Sequence, residues 1–244
     1  MQDSFSVSHQ KELIREHVWR SLEERNIAAF PRPVFHRIPN FIGAEEAARR
    51  LAATKEFKNA EAVKVNPDSP QRHVRFEVLA HGKVLLMPTP RLRDGFILLD
   101  HTVPADRLHF ASSIRGALVL GRKISLDELP EIDLAIVGSV AVARDGERIG
   151  KGEGYSEMEY AILRELDLIR ESVPIMTTVH ELQVVESVPH EDHDVAVDYI
   201  VTPKRILEIK ALRRRPQGIT WSKVTPEMMQ RMPVLGQLRR RLDG

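Results

Sequence analysis

The chain contains no cysteine in its 244 residues. Disulfide frameworks, thiolate zinc sites, iron–sulfur clusters and cysteine nucleophiles are therefore excluded. Aromatic residues make up only 5%, too few for a stacking platform that binds single-stranded nucleic acid. The formal net charge is +1, so global charge does not draw the protein to polyanions. No apolar run approaches the roughly 18–20 residues needed to cross a bilayer. Met1 to Gln10 lack the apolar stretch of a secretory signal. The expectation is a soluble, cytoplasmic protein with no membrane partner.

What the chain does have is core-forming material. Hydrophobic residues are 42% and charged residues 29%, enough to bury a sizeable core beneath a charged surface. The charge is unevenly spread. From Lys204 to Gly244 there are eleven Lys and Arg against Glu208, Glu227 and Asp243, so a basic tail follows a mildly acidic body. We expect a domain over residues 1–203 and a basic extension over 204–244 packed on it. The tail is the one place where nucleic acid could bind, though a solvated or oligomer-contacting surface is the commoner use of such charge.

Short apolar runs alternate with amphipathic ones. Ala62 to Asn66, Lys83 to Met87, Asp133 to Val137, Ile175 to Val179 and Val197 to Val201 read as strands, and Asp133 to Val137 is a short apolar run of the kind buried on both faces of a parallel sheet. Lys11 to Arg25, Ala44 to Ala53, Arg72 to Ala80 and Ser156 to Arg170 read as helices. Thr225 to Arg241 reads as a basic helix broken near Pro233, Asp94 to Val103 as an edge element, and Phe30 to Pro39, with three prolines, as a connector. Strands alternating with helices predict an α/β fold: a Rossmann-like, mostly parallel sheet flanked by helices.

The most informative segment is Asp145-Gly-Glu-Arg-Ile-Gly-Lys-Gly-Glu-Gly-Tyr155. Gly150, Gly152 and Gly154 alternate between a strand and a helix. Glycines permit positive φ and close backbone approach, and the helix start behind them offers free N–H groups and partial positive charge. With Arg148 and Lys151 beside them, these parts make a phosphate cradle. A glycine-rich connection that binds nothing has the same composition. A Walker loop is excluded because Lys151 is followed by Gly152 and Glu153, and the dinucleotide fingerprint fails at Tyr155. Ser156 and Glu159 have capping-box spacing. Glu153 and Glu157 would repel a bare phosphate, and a magnesium ion between them and the phosphate would resolve the conflict.

Two other segments stand out. Pro189-His-Glu-Asp-His-Asp194 is either a solvated polar turn or a contributor to a magnesium site. Lys11 and Arg15 lie four apart on one helix face, ordinarily a solvated one. Arg37, Asn40, Lys64, Asn66, Asp68, Arg91 and Arg93 are polar residues near strand ends, where ligands of open α/β sheets gather. Of these, Asn40, Lys64, Asn66 and Arg91 are the substrate-binding candidates.

These segments occur together, in this order, in the 5-formyltetrahydrofolate cyclo-ligase (methenyltetrahydrofolate synthetase) family, which the chain resembles over residues 9–203. The family opens with Lys-x-x-x-Arg, here Lys11 and Arg15. It has Asp-Leu-x-Ile-Val-x-x-Val-Ala, here Asp133 to Ala141, and Gly-x-Arg-Leu-Gly-x-Gly-x-Gly-Tyr-Tyr-Asp, here Gly146 to Glu157. It closes with Gln-Leu-Val, a Pro-x-x-x-His-Asp turn and Val-Asp-x-Ile-Val-Thr, here Gln183 to Thr202. The N-terminal half is looser. Its Arg37 to Ala44, Val63 to Gln71 and Pro88 to Arg93 segments resemble the divergent branch called methenyltetrahydrofolate synthetase domain-containing proteins.

The resemblance implies ATP and magnesium as cofactors and a folate or pterin-like small molecule as substrate. ATP would phosphorylate the formyl oxygen of 5-formyltetrahydrofolate, a substrate nitrogen would attack the activated carbon, and phosphate would leave as 5,10-methenyltetrahydrofolate forms. Such chemistry needs charge stabilisation and positioning more than a covalent nucleophile. By position, Lys11, Arg15, Arg148, Gly150, Lys151, Gly152, Gly154 and Tyr155 would bind ATP, with Lys151 and Tyr155 catalytic, and Glu157 and Asp194 would hold the metal. The sequence departs from the family where Tyr-Tyr-Asp becomes Tyr155-Ser156-Glu157. Two alternatives follow: an ATP-dependent paralogue acting on a different pterin-like or formyl-bearing molecule, and a non-catalytic nucleotide- or RNA-associated module.

Overall fold

The computed structural model describes residues 6–210 and 214–243. In chain order the elements are α1 (Val7–Glu24), α2 (Ala44–Ala52), α3 (Lys55–Asn59), β1 (Ala62–Val65), α4 (Arg72–Ala80), β2 (Val84–Pro88), β3 (Phe96–Leu99), α5 (Leu108–Ala111), α6 (Ile114–Leu120), β4 (Arg122–Ile124), β5 (Leu134–Val137), β6 (Ala141–Ala143), β7 (Arg148–Ile149), α7 (Tyr155–Glu165), β8 (Ile175–Thr178), β9 (Val184–Val185), β10 (Tyr199–Val201), β11 (Ile206–Glu208), α8 (Pro226–Arg231) and α9 (Pro233–Leu242).

The main sheet runs β11-β10-β8-β5-β1-β2-β3-β4. Its five central strands pair in parallel and its margins are antiparallel. The fold is thus the mixed α/β arrangement expected, with a large, mostly parallel sheet between helices. Alternation along the buried strands sorts the core into two layers. Ala135 and Val137 face Tyr160 and Leu163 of α7 and Leu235 and Leu238 of α9. Leu134 and Ile136 face Leu51 of α2 and Val74 and Val78 of α4. A second sheet, β7-β6-β9, packs Ala141 and Ile149 against Val18, Trp19 and Leu22 of α1.

Chain order reverses between β1 and β5. From β1 the chain steps to β2 on one side, whereas β5, β8 and β10 step away on the other. The crevice beyond the carboxyl ends of such strands is where open α/β sheets bind ligands. Asn66, Pro67 and Asp68 leave β1 there, and Gly138 and Ser139 leave β5.

Several boundaries differ from the sequence-based ones for physical reasons. α1 begins at Val7 because the Ser6 hydroxyl caps it by accepting the His9 N–H at 3.3 Å. α7 stops at Glu165, short of Arg170. Asp167 adopts φ +55, and the Leu168 N–H reaches the Leu163 carbonyl at 2.9 Å while the Asp167 N–H reaches Arg164 at 3.1 Å; this paired closure ends the helix. The Asp94 to Val103 region contributes β3, which is not the margin, because β4 covers it. The expected break at Pro233 separates α8 from α9.

Candidate functional site

A cavity of about 840 Å³ opens at the reversal point. The glycine loop, the start of α7, one face of α1, the 191–194 turn and residues 35–38 wall it. Gly152 and Gly154 sit at φ +95 and +72, conformations that side chains disfavour. A Cβ on Gly152 would also stand 3.3 Å from Arg15 Cζ. Gly154 is the N-cap of α7 and carries no side chain to accept the first-turn N–H groups. Those donors, and the positive end of the helix dipole, are left for an anion in the cavity.

Three cations flank this helix start, each held by carboxylates. Lys11 Nζ lies 2.6 Å from Asp194 Oδ2 and 3.0 Å from Glu191 Oε2. Arg15 donates from Nε to the Gly150 carbonyl at 2.8 Å and pairs with Glu12 at 2.7 Å. Lys151 pairs with Glu153 at 2.6 Å. Lys11 and Arg15, whose spacing suggested a solvated face, are instead buried. The carboxylates that hold Lys11 and the Gly150 carbonyl that holds Arg15 lie more than a hundred residues away in sequence, where helix periodicity gives no sign of them.

Arg148 does not reach the cavity. Its fully buried guanidinium donates to the Val195 carbonyl (3.2 Å), the Gly138 carbonyl (3.0 Å), Ser156 Oγ (3.1 Å) and Glu157 Oε1 (2.6 Å). It ties both sheets to the first turn of α7. The capping-box reading of Ser156 and Glu159 is corrected here. Gly154 occupies the cap position, Ser156 receives Arg148, and Glu159 faces inward to pair with Lys64 at 2.5 Å. Lys64 also donates to Asn66 Oδ1 at 2.6 Å. Burial raises the pKa of Glu159, opposed by the Lys64 charge.

Of the substrate-binding candidates, Asn66 and Arg91 line the cavity. Lys64 lies beneath it. Asn40 does not line it: its side-chain amide donates to the Phe30 carbonyl at 2.7 Å and fixes the 30–41 connector. Two groups were underweighted by sequence reasoning. Asp68 lines the cavity, and burial pushes its carboxyl above the usual 3.8 against the opposing charges of Lys151 and Arg75. Arg75 is buried and donates to the Asn66 and Asp68 carbonyls at 2.6 and 3.0 Å, so it fixes the chain leaving β1. The available cue was a polar Asn-Pro-Asp run directly after a fully buried strand.

The donor set suits a polyphosphate: free helix N–H groups, three cations and two glycines without Cβ bulk. For a metal the fit is partial. Glu157 and Asp194 both line the cavity, but each has one oxygen taken by a cation. Among the described residues no cluster of three or more metal-binding side chains is assembled. A divalent ion would therefore be held by the remaining oxygens of Glu157 and Asp194 together with phosphate oxygens, the usual arrangement for magnesium.

The model of the 5-formyltetrahydrofolate cyclo-ligase family matches residues 7–203. The chain belongs to that family. Methenyltetrahydrofolate synthase domain-containing proteins from Bos taurus and Mus musculus are 45% and 46% identical, over 94% and 95% of this chain. The chain spans 62% and 63% of the length of those relatives. The solution structure of Aquifex aeolicus 5,10-methenyltetrahydrofolate synthetase shares the cyclo-ligase fold with a TM-score of 0.53 and 21% identity, covering 83% of this chain and 94% of that one. The resemblance to the domain-containing branch is thereby established. Among the described residues no helix is long and apolar enough to cross a membrane.

Proposed function

We propose that the protein is an ATP- and magnesium-dependent ligase that converts 5-formyltetrahydrofolate to 5,10-methenyltetrahydrofolate. The observation that carries this reading is the uncapped start of α7, facing a cavity flanked by Lys11, Arg15 and Lys151. In this reading the three cations exchange carboxylate partners for phosphate oxygens. Gly152 and Gly154 let the main chain approach those oxygens, and Arg148 keeps the helix start from shifting. Magnesium, when bound, neutralises phosphate charge and orients the terminal phosphoryl group. The substrate's formyl oxygen bonds to the terminal phosphorus as the bond to the departing nucleotide breaks. A substrate nitrogen then forms a bond to the formyl carbon, and phosphate leaves with the former formyl oxygen. The protein's part is to hold these groups in line and keep water away. In this reading Tyr155 and Lys151, on the loop, would flank the transferring group, and Asp68 is a protonatable group lining the cavity.

The test is to mix protein, ATP, magnesium and 5-formyltetrahydrofolate and follow the methenyl product by absorbance. Turnover that is lost in Lys11→Ala supports the proposal, and absence of product with wild-type protein overturns it. One observation favours a second reading. Ser156 and Glu157, where the family has tyrosine and aspartate, are both bound to Arg148, which alters the substrate side of the loop. ATP binding without turnover of 5-formyltetrahydrofolate, but with turnover of another reduced pterin, would select that reading.

A further inference from the structure

The cavity floor contains a buried charged pair that the phosphate chemistry does not use. Lys64 and Glu159 are 1% and 3% exposed, join β1 to α7, and lie directly beneath Asn66 and Ser156. An ammonium has only donors. The Asn66 atom that faces Lys64 Nζ at 2.6 Å is therefore its oxygen, and a flip would set an NH2 group against the ammonium. The amide nitrogen is thereby turned away from Lys64; one of its N–H groups donates to Ser156 Oγ at 3.4 Å, and the other is left for a ligand. Ser156 Oγ in turn accepts from Arg148 at 3.1 Å, which leaves its own proton free to point elsewhere. Both Asn66 and Ser156 line the cavity. Buried ion pairs are poor stabilisers, and apolar residues of similar volume often serve a core as well. Their worth here lies in what they orient.

We propose that Lys64 and Glu159 form a positioning pair that locks Asn66 as a hydrogen-bond donor, beside the Ser156 hydroxyl, to a carbonyl-type oxygen of the substrate. The inference rests on the functional reading above and adds the half of the site that reads the substrate. Uncharged donors suit an uncharged oxygen, whereas the cations of the opposite wall suit phosphate. A site built to donate rejects a molecule lacking the acceptor, because its buried donors are then left unpaired.

Two variants test it. Lys64→Met/Glu159→Leu removes both charges at similar volume, so the fold is kept while the amide is released. Asn66→Asp replaces the donor with an acceptor. Binding of 5-formyltetrahydrofolate and of ATP is measured separately by calorimetry. We expect both variants to weaken 5-formyltetrahydrofolate by about 10- to 100-fold and leave ATP within about twofold, the loss typical of an unpaired buried donor. An equal loss for ATP would overturn the assignment to the substrate, and so would unchanged 5-formyltetrahydrofolate binding. Wild-type protein that binds ATP but not 5-formyltetrahydrofolate would sink the cyclo-ligase reading alone. The side-chain amide resonances of Asn66 then decide the positioning claim without any ligand. In wild-type protein they should be a sharp, well-separated pair that broadens in the double variant, and an unchanged pair would refute the lock.

Discussion

The two walls of the cavity handle charge in opposite ways. On the glycine-loop wall, Lys11, Arg15 and Lys151 are paired with Glu191, Glu12 and Glu153, whose side chains are 44%, 45% and 38% exposed, and only the second partner of Lys11, Asp194, is buried, at 8%. On the floor, Lys64, Glu159 and Arg148 are sealed from solvent. A carboxylate at the rim can swing into water at little cost when an anion takes its place, because exposed pairs contribute little. A carboxylate on the floor has nowhere to go. The rim pairs are therefore exchangeable and the floor pairs are fixed.

The strongest way to break this contrast is Lys64→Met alone. It leaves Glu159 buried without a partner, and stability should fall by about 3–5 kcal/mol. The double change Lys64→Met/Glu159→Leu should recover most of that loss, as read by denaturant midpoints. If the single variant were as stable as wild type, the floor would not be fixed.

Gly152→Ala comes next. Its φ of +95 and the nearness of Arg15 mean that a methyl group strains the loop and displaces a cation. Forcing a side chain into sparsely populated backbone costs about 1–3 kcal/mol. ATP affinity should drop by up to about 100-fold, checked by calorimetry, and the melting temperature should fall by about 2–4 °C per kcal/mol of that strain.

Asp68→Asn sharpens the contrast through pH. The folded protein holds the Asp68 proton more tightly than the unfolded chain does. That stabilisation is complete below the unfolded pKa and is lost as pH rises through the raised folded one. The variant should show a melting temperature that falls less steeply than wild type as pH rises above about 4. Identical profiles would mean that Asp68 is solvated.

The smallest effect belongs to Glu153→Gln. Loss of this exposed partner of Lys151 should change stability by no more than about 0.5 kcal/mol. It should strengthen ATP binding at low salt by a few-fold, an effect that fades as salt is added.

Legibility in the sequence followed locality. The central strands were readable because burial on both faces makes continuous apolar runs, as in Leu134–Val137. The glycine loop was readable because its constraint is written in consecutive residues. The short strands β6, β7 and β9 are too brief to show a period, so the small sheet that carries Arg148 was not foreseen. Spacing alone hides the setting of Lys11, Arg15 and Glu159 for one reason. Each has a place on a helix that sequence spacing explains well enough, and a distant partner that spacing cannot reveal. The resemblance brought Lys11, Arg15 and Asp194 into one site, but it did not show that they would bind one another.

The last helix gives the family boundary an unexpected meaning. Val234, Leu235 and Leu238 of α9 are buried in the same cluster as Leu86, Phe96 and Ile124, and Arg241 reaches back to Asp127 at 3.0 Å. A chain trimmed at residue 203, where the family match ends, would lose the lid over β2, β3 and β4 and leave an apolar sheet face bare beside an open strand edge, a recipe for self-association. The family model's match and the buried core therefore end at different residues.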